Sequence, residues 1–267
     1  MTILDEIIAY KKKEVAERAA THPIQLLEKS LYFDSDCLSL AHYIKREDKS
    51  GIIAEFKRKS PSKGMINEYA NVEKVSICYM QAGASALSVL TDTNFFGGKN
   101  EDLITARKFN FCPILRKDFT VSEYQIIEAK SIGADAILLI AAVLTQEEIK
   151  QFTSLAHQLG LEVLLEVHTP EELEKYIPEI KLVGINNRNL KTFEVDFENS
   201  IRLAQQLPSE TVKIAESGIN DPENIIKLKK HGFDGFLIGE NFMKKADPGL
   251  ACKKFIDQIN QFKNVTA

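Results

Sequence analysis

The chain has 267 residues, of which 44% are hydrophobic and 27% are charged, and its formal net charge is -4. This length and composition suit one large soluble domain, 1–267, and exclude a chain that is disordered over most of its length. The weak negative charge leaves no broad basic surface for nucleic acid or for an anionic membrane, so we expect neither as a partner.

The N-terminus and the cysteines indicate a cytoplasmic protein. The N-terminal residues contain charged clusters and no unbroken apolar core, which excludes a secretory signal and a membrane span there. The four cysteines are far apart and form no CxxC pair, so reduced thiols in a cytoplasm fit them best. No HExxH or Cys/His pattern occurs, and we therefore expect no structural or catalytic metal.

Three helical patterns come before the first strand-like run. Residues 3–18 place apolar side chains at helical spacing, and two shorter patterns follow over 24–31 and 37–47. We expect residues 1–50 to form an N-terminal helical extension, which could be a lid, a plug or a subunit interface. The lysine run from Lys11 to Lys13 predicts a solvated face of the first helix.

After Gly51, aliphatic runs alternate strictly with helix-length segments. Eight such runs occur: IIAEF, ALSVL, PILRK, AILLI, EVLLE, LVGIN, VKIAE and GFLIG. Strict alternation implies a parallel sheet, and eight apolar strands covered on both sides close most naturally into a (β/α)8 TIM barrel, an α/β fold. No GxGxxG follows the first strand, which argues against a dinucleotide-binding fold.

Sequence signals also mark where the helices begin and end. Four helical segments stop at a glycine, the preferred residue after a helix: Gly83, Gly133, Gly160 and Gly232. Three pairs fit a capping box: Ser122 with Gln125, Thr145 with Glu148, and Thr169 with Glu172. Asp221 followed by Pro222 predicts a further helix start.

The first strand carries two charged residues at its end, within the stretch GIIAEFKRKSPSKG over residues 51–64. Successive side chains of a strand alternate between its faces, so Ile53, Glu55 and Lys57 share one side. Burying a carboxylate and an ammonium is costly unless they are paired. Two interpretations stay open for this stretch, a structural ion pair at a strand end or a pair of functional groups.

Polar residues close five of the eight strands, at the end of a barrel where active sites form. They comprise three carboxylates, three cations and one amide: Glu55, Glu166, Glu216, Lys57, Lys117, Arg188 and Asn186. Strand parity lets these side chains converge on one axis. A set so balanced can bind an anionic substrate and keep an acid and a base in tuned protonation states, so we expect a catalytic site.

Two loops indicate a phosphate site beside these charges. The seventh strand is followed by SGI, with Ser217 and Gly218, and the eighth by IGE, with Gly239 and Glu240. Glycines there let backbone N–H groups approach an anion at a short helix N-terminus. Ser60, in the loop after the first strand, could add a hydroxyl group. The alternative is that these glycines only form tight turns.

The motifs resemble the indole-3-glycerol phosphate synthase family over nearly the whole chain. The segments that carry the resemblance are ILDEIIAYKKKEVAER, AEFKRKSPSKG, ALSVLTDTNFFGG, LRKDFTVSEYQI, LLEVHT, GINNRNL, AESGI and FLIGENFM. The first-strand and third-strand segments are highly specific, whereas AESGI and IG occur in other phosphate-binding barrels. The resemblance implies conversion of 1-(2-carboxyphenylamino)-1-deoxyribulose 5-phosphate to indole-3-glycerol phosphate, with loss of carbon dioxide and water and without a cofactor.

By motif position, the resemblance also implies roles for the site residues. Lys117 is the expected general acid toward the substrate carbonyl, and Glu166 the expected general base or proton partner in the later dehydration. Lys57 would contact the substrate carboxylate or the leaving hydroxyl, and Glu55 would orient it. The remaining assignments are Asn186 in the catalytic group, Arg188 and Glu216 in the polar lining, Ser60, Ser217, Gly218, Gly239 and Glu240 at the phosphate, and Phe96 and Phe119 as apolar walls.

Two rival functions stay open. A Schiff-base aldolase or a sugar-phosphate isomerase of the same architecture could use a barrel lysine and a phosphate site. A non-catalytic barrel that binds a phosphorylated metabolite would use the phosphate site alone. On the preferred interpretation the partner is a small phosphorylated substrate, and we expect a monomer with no fused phosphoribosylanthranilate isomerase domain.

Overall fold

A computed structural model describes residues 2–188 and 194–266 and contains the predicted barrel. All eight barrel strands are parallel; each pairs with its neighbours in the chain, and the first pairs with the eighth. The first to the eighth strand are Ile52–Phe56, Ala86–Leu90, Ile114–Lys117, Ala136–Ile140, Glu162–Val167, Leu182–Asn186, Val212–Glu216 and Gly235–Ile238. Each predicted aliphatic run forms one strand, and the (β/α)8 fold is confirmed.

Helices connect the strands and cover the barrel. They are Ile3–Thr21, Ile24–Leu27, Leu40–Lys45, Val72–Gln81, Asn100–Phe109, Glu123–Ser131, Gln146–Gln158, Pro170–Leu173, Phe197–Ala204, Pro222–Lys230, Glu240–Met243 and Pro248–Thr266. A small hairpin, Lys59–Ser60 with Gly64–Met65, follows the first strand. No helix in the described part of the chain is long and apolar enough to cross a membrane.

The core has two layers, one inside the barrel and one between the strands and the helices. Inward side chains such as Ile53, Leu115, Leu164 and Ile214 pack together inside the barrel. Their chain neighbours, such as Ile52, belong to the outer layer under the helices. Because side chains alternate along a strand, the residue two positions after each inward side chain also faces the interior, at the mouth of the barrel.

The glycine signals for helix ends are confirmed, together with two of the predicted helix starts. Gly83, Gly133, Gly160 and Gly232 all have φ between +76° and +97°, the left-handed region that glycine tolerates best. Thr145 and Glu148 form a reciprocal capping box at the start of Gln146–Gln158. The Asp221 side chain caps the helix that begins at Pro222.

The other two predicted capping boxes are wrong in their second residue. Ser122 and Thr169 do cap their helices. The Gln125 side chain, however, accepts a hydrogen bond from the backbone N–H of Val121. The Glu172 carboxylate accepts from the backbone N–H of His168, at 2.7 Å, and not from Thr169. In both cases the side chain accepts from the residue before the cap and not from the cap itself.

The first helix of the extension covers the C-terminal mouth of the barrel. Its apolar residues Ile3, Leu4 and Ile7 line the cavity that opens there. The mouth is the end of a TIM barrel that carries active sites. Of the open alternatives, a cover over the mouth therefore describes this helix.

The third helix, Leu40–Lys45, closes the opposite end of the barrel. Leu40 and Ile44 are buried and belong to the inner layer of the core. Glu162, at the start of the fifth strand, accepts hydrogen bonds from the Ser39 hydroxyl at 2.7 Å and from the Ala41 N–H at 3.0 Å. These contacts make the third helix a plug at the N-terminal ends of the strands.

The predicted solvated lysine face is wrong for Lys11. Its side chain is fully buried, and Nζ lies 2.8 Å from Asp92 Oδ2, 3.0 Å from Asp118 Oδ1 and 2.7 Å from Glu14 Oε2. The two aspartates follow the second and third strands. A buried lysine needs such partners, and the carboxylates hold its pKa above the usual value although burial opposes this. The pattern of the helix alone could not show partners from two distant loops.

We predict that Lys11→Met destabilises the protein strongly. Removing Lys11 takes the cation away from Asp92 Oδ2 and leaves Asp118 with Arg116 as its cationic partner, and breaking a buried ion cluster in this way typically costs about 3 to 5 kcal/mol. Lys13→Met is the matched control. Lys13 is 78% exposed, and its ion pair with a glutamate on the same helix is long, at 3.9 Å. Urea unfolding of both variants measures the difference in the free energy of unfolding. Equal stability of the two would contradict a stabilising role for the buried Lys11 cluster.

Candidate active site

A cavity of about 280 Å³ opens at the C-terminal mouth of the barrel. Every residue predicted for the site lies on its wall: Glu55, Lys57, Ser60, Phe96, Lys117, Phe119, Glu166, Asn186, Arg188, Glu216, Ser217, Gly218, Gly239 and Glu240. Asn189 and Leu190, the last two residues of the GINNRNL segment, lie outside the described residues. The structure brings the candidate residues together, and their individual roles stay predictions.

The centre of the site is an ammonium group held between two carboxylates. Lys117 Nζ lies 2.8 Å from Glu166 Oε2 and 2.7 Å from Glu216 Oε2. The three side chains come from the third, fifth and seventh strands and are at most 13% exposed. Asn186, on the sixth strand, donates from Nδ2 to the other oxygen of Glu166 at 3.1 Å. The group is therefore fixed by strands and not by loops.

The two carboxylates differ in how easily they ionise. Burial opposes charge on Lys117, but Glu166 and Glu216 outweigh it and hold its pKa above the usual value. Burial also opposes charge on Glu166, yet Lys117 and His168 lower its pKa to about 2. For Glu216, burial dominates, and the nearby Glu166 adds to it against Lys117, so that its pKa rises to about 7. Glu216 is thus the carboxyl that can hold a proton near neutral pH.

Gly184 leaves the space that Glu216 occupies. It lies on the sixth strand, between Glu166 and Ile214 in the sheet register. A Cβ atom at this position would overlap Glu216 Oε1 and would lie 3.3 Å from Leu164 Cδ1. No rotation of an added methyl group avoids this overlap, because Cβ is fixed by the backbone. The placement of Glu216 beside Lys117 therefore requires glycine at residue 184.

Glu55 and Lys57 form the second ion pair of the cavity. Lys57 Nζ donates to Glu55 Oε1 at 2.7 Å, and the Ser88 hydroxyl lies 3.4 Å from the other oxygen of Glu55. Both charged residues are on the cavity wall, so this pair is more than a strand-end ion pair facing solvent. Gly239 packs on the pair, since a Cβ there would lie 2.5 Å from Glu55 Oε1.

An aromatic wall stands on one side of these charges. The rings of Phe96 and Phe119 are 5.9 Å apart with an interplanar angle of 41°, a tilted contact typical of packed aromatic side chains. Asp92 supports this wall, because its Oδ1 accepts from the N–H groups of Phe95 and Phe96. The Lys11 cluster described above therefore ties the cover helix to the loop that carries Phe96.

The candidate phosphate end lies at the seventh and eighth strands. Ser217 and Gly218 have φ of +67° and +73°, so the backbone turns sharply after Glu216. Asn187, buried in the sixth loop, donates from Nδ2 to the Ser217 carbonyl at 2.8 Å and holds that turn. The short helix Glu240–Met243 begins at Gly239 without a side-chain cap. Its first N–H groups therefore lack the side-chain acceptor that usually occupies this position.

Arg188 bridges the first loop and the eighth. Its Nη1 donates to the Ser62 hydroxyl at 3.2 Å, and its Nη2 lies 3.7 Å from Glu240 Oε2. The Glu240 carboxylate is thus matched by a cation, which removes the repulsion that it would otherwise exert on a phosphate. Lys244 adds a second positive charge to this end of the cavity.

Five residues shape the site although the sequence patterns did not assign them to it: Lys11, His168, Gly184, Asn187 and Lys244. Parity along the sixth strand pointed to the position of Gly184 but not to the overlap that forbids a side chain. His168 stood two residues after Glu166, which was a usable signal. Lys11 and Lys244 carried no signal of their own, because their partners come from other parts of the chain.

Comparison with known proteins agrees with this arrangement. Residues 4–255 match the family model described as indole-3-glycerol phosphate synthase. A relative of that name from Bacteroides thetaiotaomicron is 51% identical over 257 residues, covering 96% of this chain and 98% of the relative. Another from Acinetobacter baumannii is 41% identical over 252 residues, or 94% of each chain. A third from Caldanaerobacter subterraneus is 40% identical over 259 residues, covering 96% and 98%.

The match covers the barrel and most of the N-terminal extension together. It includes all strands that supply the cavity wall and the helix that covers it. The chain belongs to the indole-3-glycerol phosphate synthase family.

Proposed function

We propose that this cavity converts 1-(2-carboxyphenylamino)-1-deoxyribulose 5-phosphate into indole-3-glycerol phosphate, with Lys117 as general acid and Glu166 as general base. Membership of the family supplies the reaction, a decarboxylating ring closure of tryptophan biosynthesis. The observation that supports the division of roles is the Lys117 ammonium between Glu166 and Glu216, in a cavity that an aromatic wall and Arg188 also line.

The first step forms the carbon–carbon bond of the new ring. The aryl carbon attacks the substrate carbonyl, and negative charge develops on the carbonyl oxygen. Lys117 stabilises that charge and transfers a proton to the oxygen, and loss of carbon dioxide restores the aromatic ring. A lysine suits this task because arginine hardly releases its proton. Glu216, with its pKa raised by burial to about 7, can return a proton to Lys117.

The second step removes water. The hydroxyl group formed by the first step leaves as water, and a proton leaves the ring system to complete the indole. Glu166 is the base in this step, held in place by Lys117 and Asn186. Lys57, paired with Glu55, lies on the same wall and can contact the substrate carboxylate or the leaving hydroxyl. The Lys117 group thus serves the proton transfers, and the Lys57–Glu55 pair serves the substrate carboxylate or the leaving hydroxyl.

The ends of the cavity position the substrate. We assign the phosphate to the backbone at Ser217, Gly218, Gly239 and Glu240, with the Ser60 hydroxyl opposite. Arg188 and Lys244 place two positive charges at that end against the one of Glu240, and an anionic ligand needs this surplus in a chain of net charge -4. The anthranilate ring rests against Phe96 and Phe119. Aromatic stacking there brings the aryl carbon toward Lys117.

The state of Lys117 argues against the Schiff-base alternative. An imine forms from a neutral amine, and enzymes that form one lower the pKa of the lysine. Here the two carboxylates hold the pKa of Lys117 above its usual value. A barrel that only binds a phosphorylated metabolite has no use for Lys117 held between Glu166 and Glu216. The substrate assay below distinguishes binding alone from turnover.

We place the protein in the cytoplasm as part of this proposal. All four cysteines are free, as expected in a reducing cytoplasm. We keep the prediction of one domain over residues 1–267, acting as a monomer. Each of these stays a prediction, and size-exclusion chromatography with light scattering checks the oligomeric state.

We predict that the purified protein forms indole-3-glycerol phosphate from the carboxyphenylamino substrate and that Lys117→Met reduces turnover by about 10²- to 10³-fold. Turnover is followed by the fluorescence of the indole product. Product binding, measured by calorimetry, should change much less than turnover, because other groups hold the phosphate and the ring. A folded wild-type protein without product would defeat the proposed reaction. Near-normal turnover of Lys117→Met would defeat the assignment of the acid.

We also predict that Gly184→Ala reduces kcat by about a hundredfold, the effect of a misplacement of about 1 Å at a reacting group. The added Cβ displaces Glu216 from Lys117 without removing either charge. Gly232→Ala is the control, since it strains a helix end outside the cavity, at φ +84°. Loss of stability without loss of kcat is expected for the control, and the same pattern in Gly184→Ala would contradict a role for the placement of Glu216.

A further inference from the structure

His168 lies directly behind Glu166, off the cavity wall. It is 8% exposed and stands two residues after Glu166, where the fifth strand gives way to a turn. Its Nε2 atom lies 3.3 Å from Glu166 Oε1, the oxygen that does not contact Lys117. Lys117 therefore donates to one oxygen of this carboxylate, and His168 faces the other oxygen at ion-pair distance without a hydrogen bond. The reaction scheme above does not use this imidazole.

Glu172 fixes the orientation of the imidazole ring from its far side. Glu172 Oε2 lies 3.1 Å from His168 Nδ1 and also accepts the backbone N–H of His168 at 2.7 Å. The His168 carbonyl accepts from Asn199 Nδ2 at 3.2 Å, so the backbone is held as well. The ring thus lies between two carboxylates, with each nitrogen facing one of them. A doubly protonated imidazole points an N–H toward each carboxylate, whereas a neutral ring leaves one nitrogen lone pair facing a carboxylate.

The charged groups around His168 favour the cation. The fifth strand supplies Glu166, the short helix supplies Glu172, and the seventh strand supplies Glu216. Lys117, on the third strand, opposes them from beyond Glu166. Burial disfavours the imidazolium, but the hydrogen bond to Glu172 and the charges of the three carboxylates outweigh it, so that the pKa of His168 is raised.

We propose that His168 is a positioning residue that, as an imidazolium oriented by Glu172, keeps Glu166 ionised and fixed while Lys117 gives up its proton. This inference rests on the proposed role of Glu166 as general base. When Lys117 transfers its proton to the substrate, Glu166 loses the cation on its Oε2 side. The imidazolium on the Oε1 side remains, so Glu166 stays ionised during this step and is still available as the base of the later dehydration.

The proposal sets the direction of the pH dependence. The pKa of His168 is raised above its ordinary value of about 6.5, so the imidazolium is present below the raised value and is lost as pH rises through it. The kcat of the wild-type protein should fall by about tenfold across that interval, less than the effect of removing the base itself. Glu172→Gln lowers the pKa of His168 and moves this fall to lower pH.

The test combines a pH profile with a direct titration. In His168→Asn, kcat should be about tenfold lower at pH 6 and should lack the tenfold fall assigned to His168, with KM within about twofold because His168 does not contact the cavity. Histidine side-chain ¹⁵N spectra of the unliganded wild-type protein should show His168 titrating above pH 6.5. In Glu172→Gln the same titration should occur at a lower pH than in the wild-type protein. His157→Asn is the control, because His157 is exposed on helix Gln146–Gln158, and it should leave kcat unchanged.

The outcomes separate this inference from the proposed function. Glu166→Gln should fold normally and be slowed by about 10²- to 10⁴-fold. A wild-type rate in that variant removes Glu166 from the mechanism and overturns both. If Glu166→Gln is slow but His168 titrates below 6.5, or if His168→Asn keeps the wild-type profile, only the role of His168 is overturned.

Discussion

The structure depends on one buried ammonium group. Lys117 is almost enclosed, and its contacts with Glu166 and Glu216, together with the charge of Glu55, offset the free energy of removing its charge from water. The same contacts leave two carboxylates around one cation, and this imbalance drives their pKa values apart. The proposed acid, the proposed base and a carboxyl that can hold a proton near neutral pH are thus placed together by one electrostatic constraint. The surrounding glycine, amide and imidazole groups fix the geometry of that constraint.

The barrel and the N-terminal extension divide the work of holding this group. Odd-numbered strands direct Lys117, Glu166 and Glu216 inward by parity, and close parallel pairing keeps them at fixed heights. The extension closes both ends, with the third helix as a plug and the first as a cover. The Lys11 cluster joins the cover to the loops behind Phe96 and Lys117. Burying an ion cluster costs desolvation free energy. The cluster nevertheless fixes the cover helix in one position, because its charged groups must keep their partners, whereas apolar contacts would allow other positions.

Much of the fold could be predicted because its signals are local. Aliphatic runs, glycines after helices and strand parity act within a few residues, and they located the strands and the candidate side chains on one mouth. The failures concern partners that the chain brings from far away. Lys11 looks solvated within its own helix, and nothing near Gly184 shows that Glu216 fills its empty side. Tertiary contacts decide such cases, and a single sequence does not reveal them.

The most direct test of the account is the turnover of Lys117→Arg with the carboxyphenylamino substrate. Arginine keeps the positive charge between the two carboxylates but hardly releases a proton. The account predicts a folded variant that binds the product, measured by calorimetry, and forms it at least about 10²-fold more slowly than the wild-type protein. Turnover within about threefold of wild type would show that charge alone suffices, and it would contradict proton donation by Lys117.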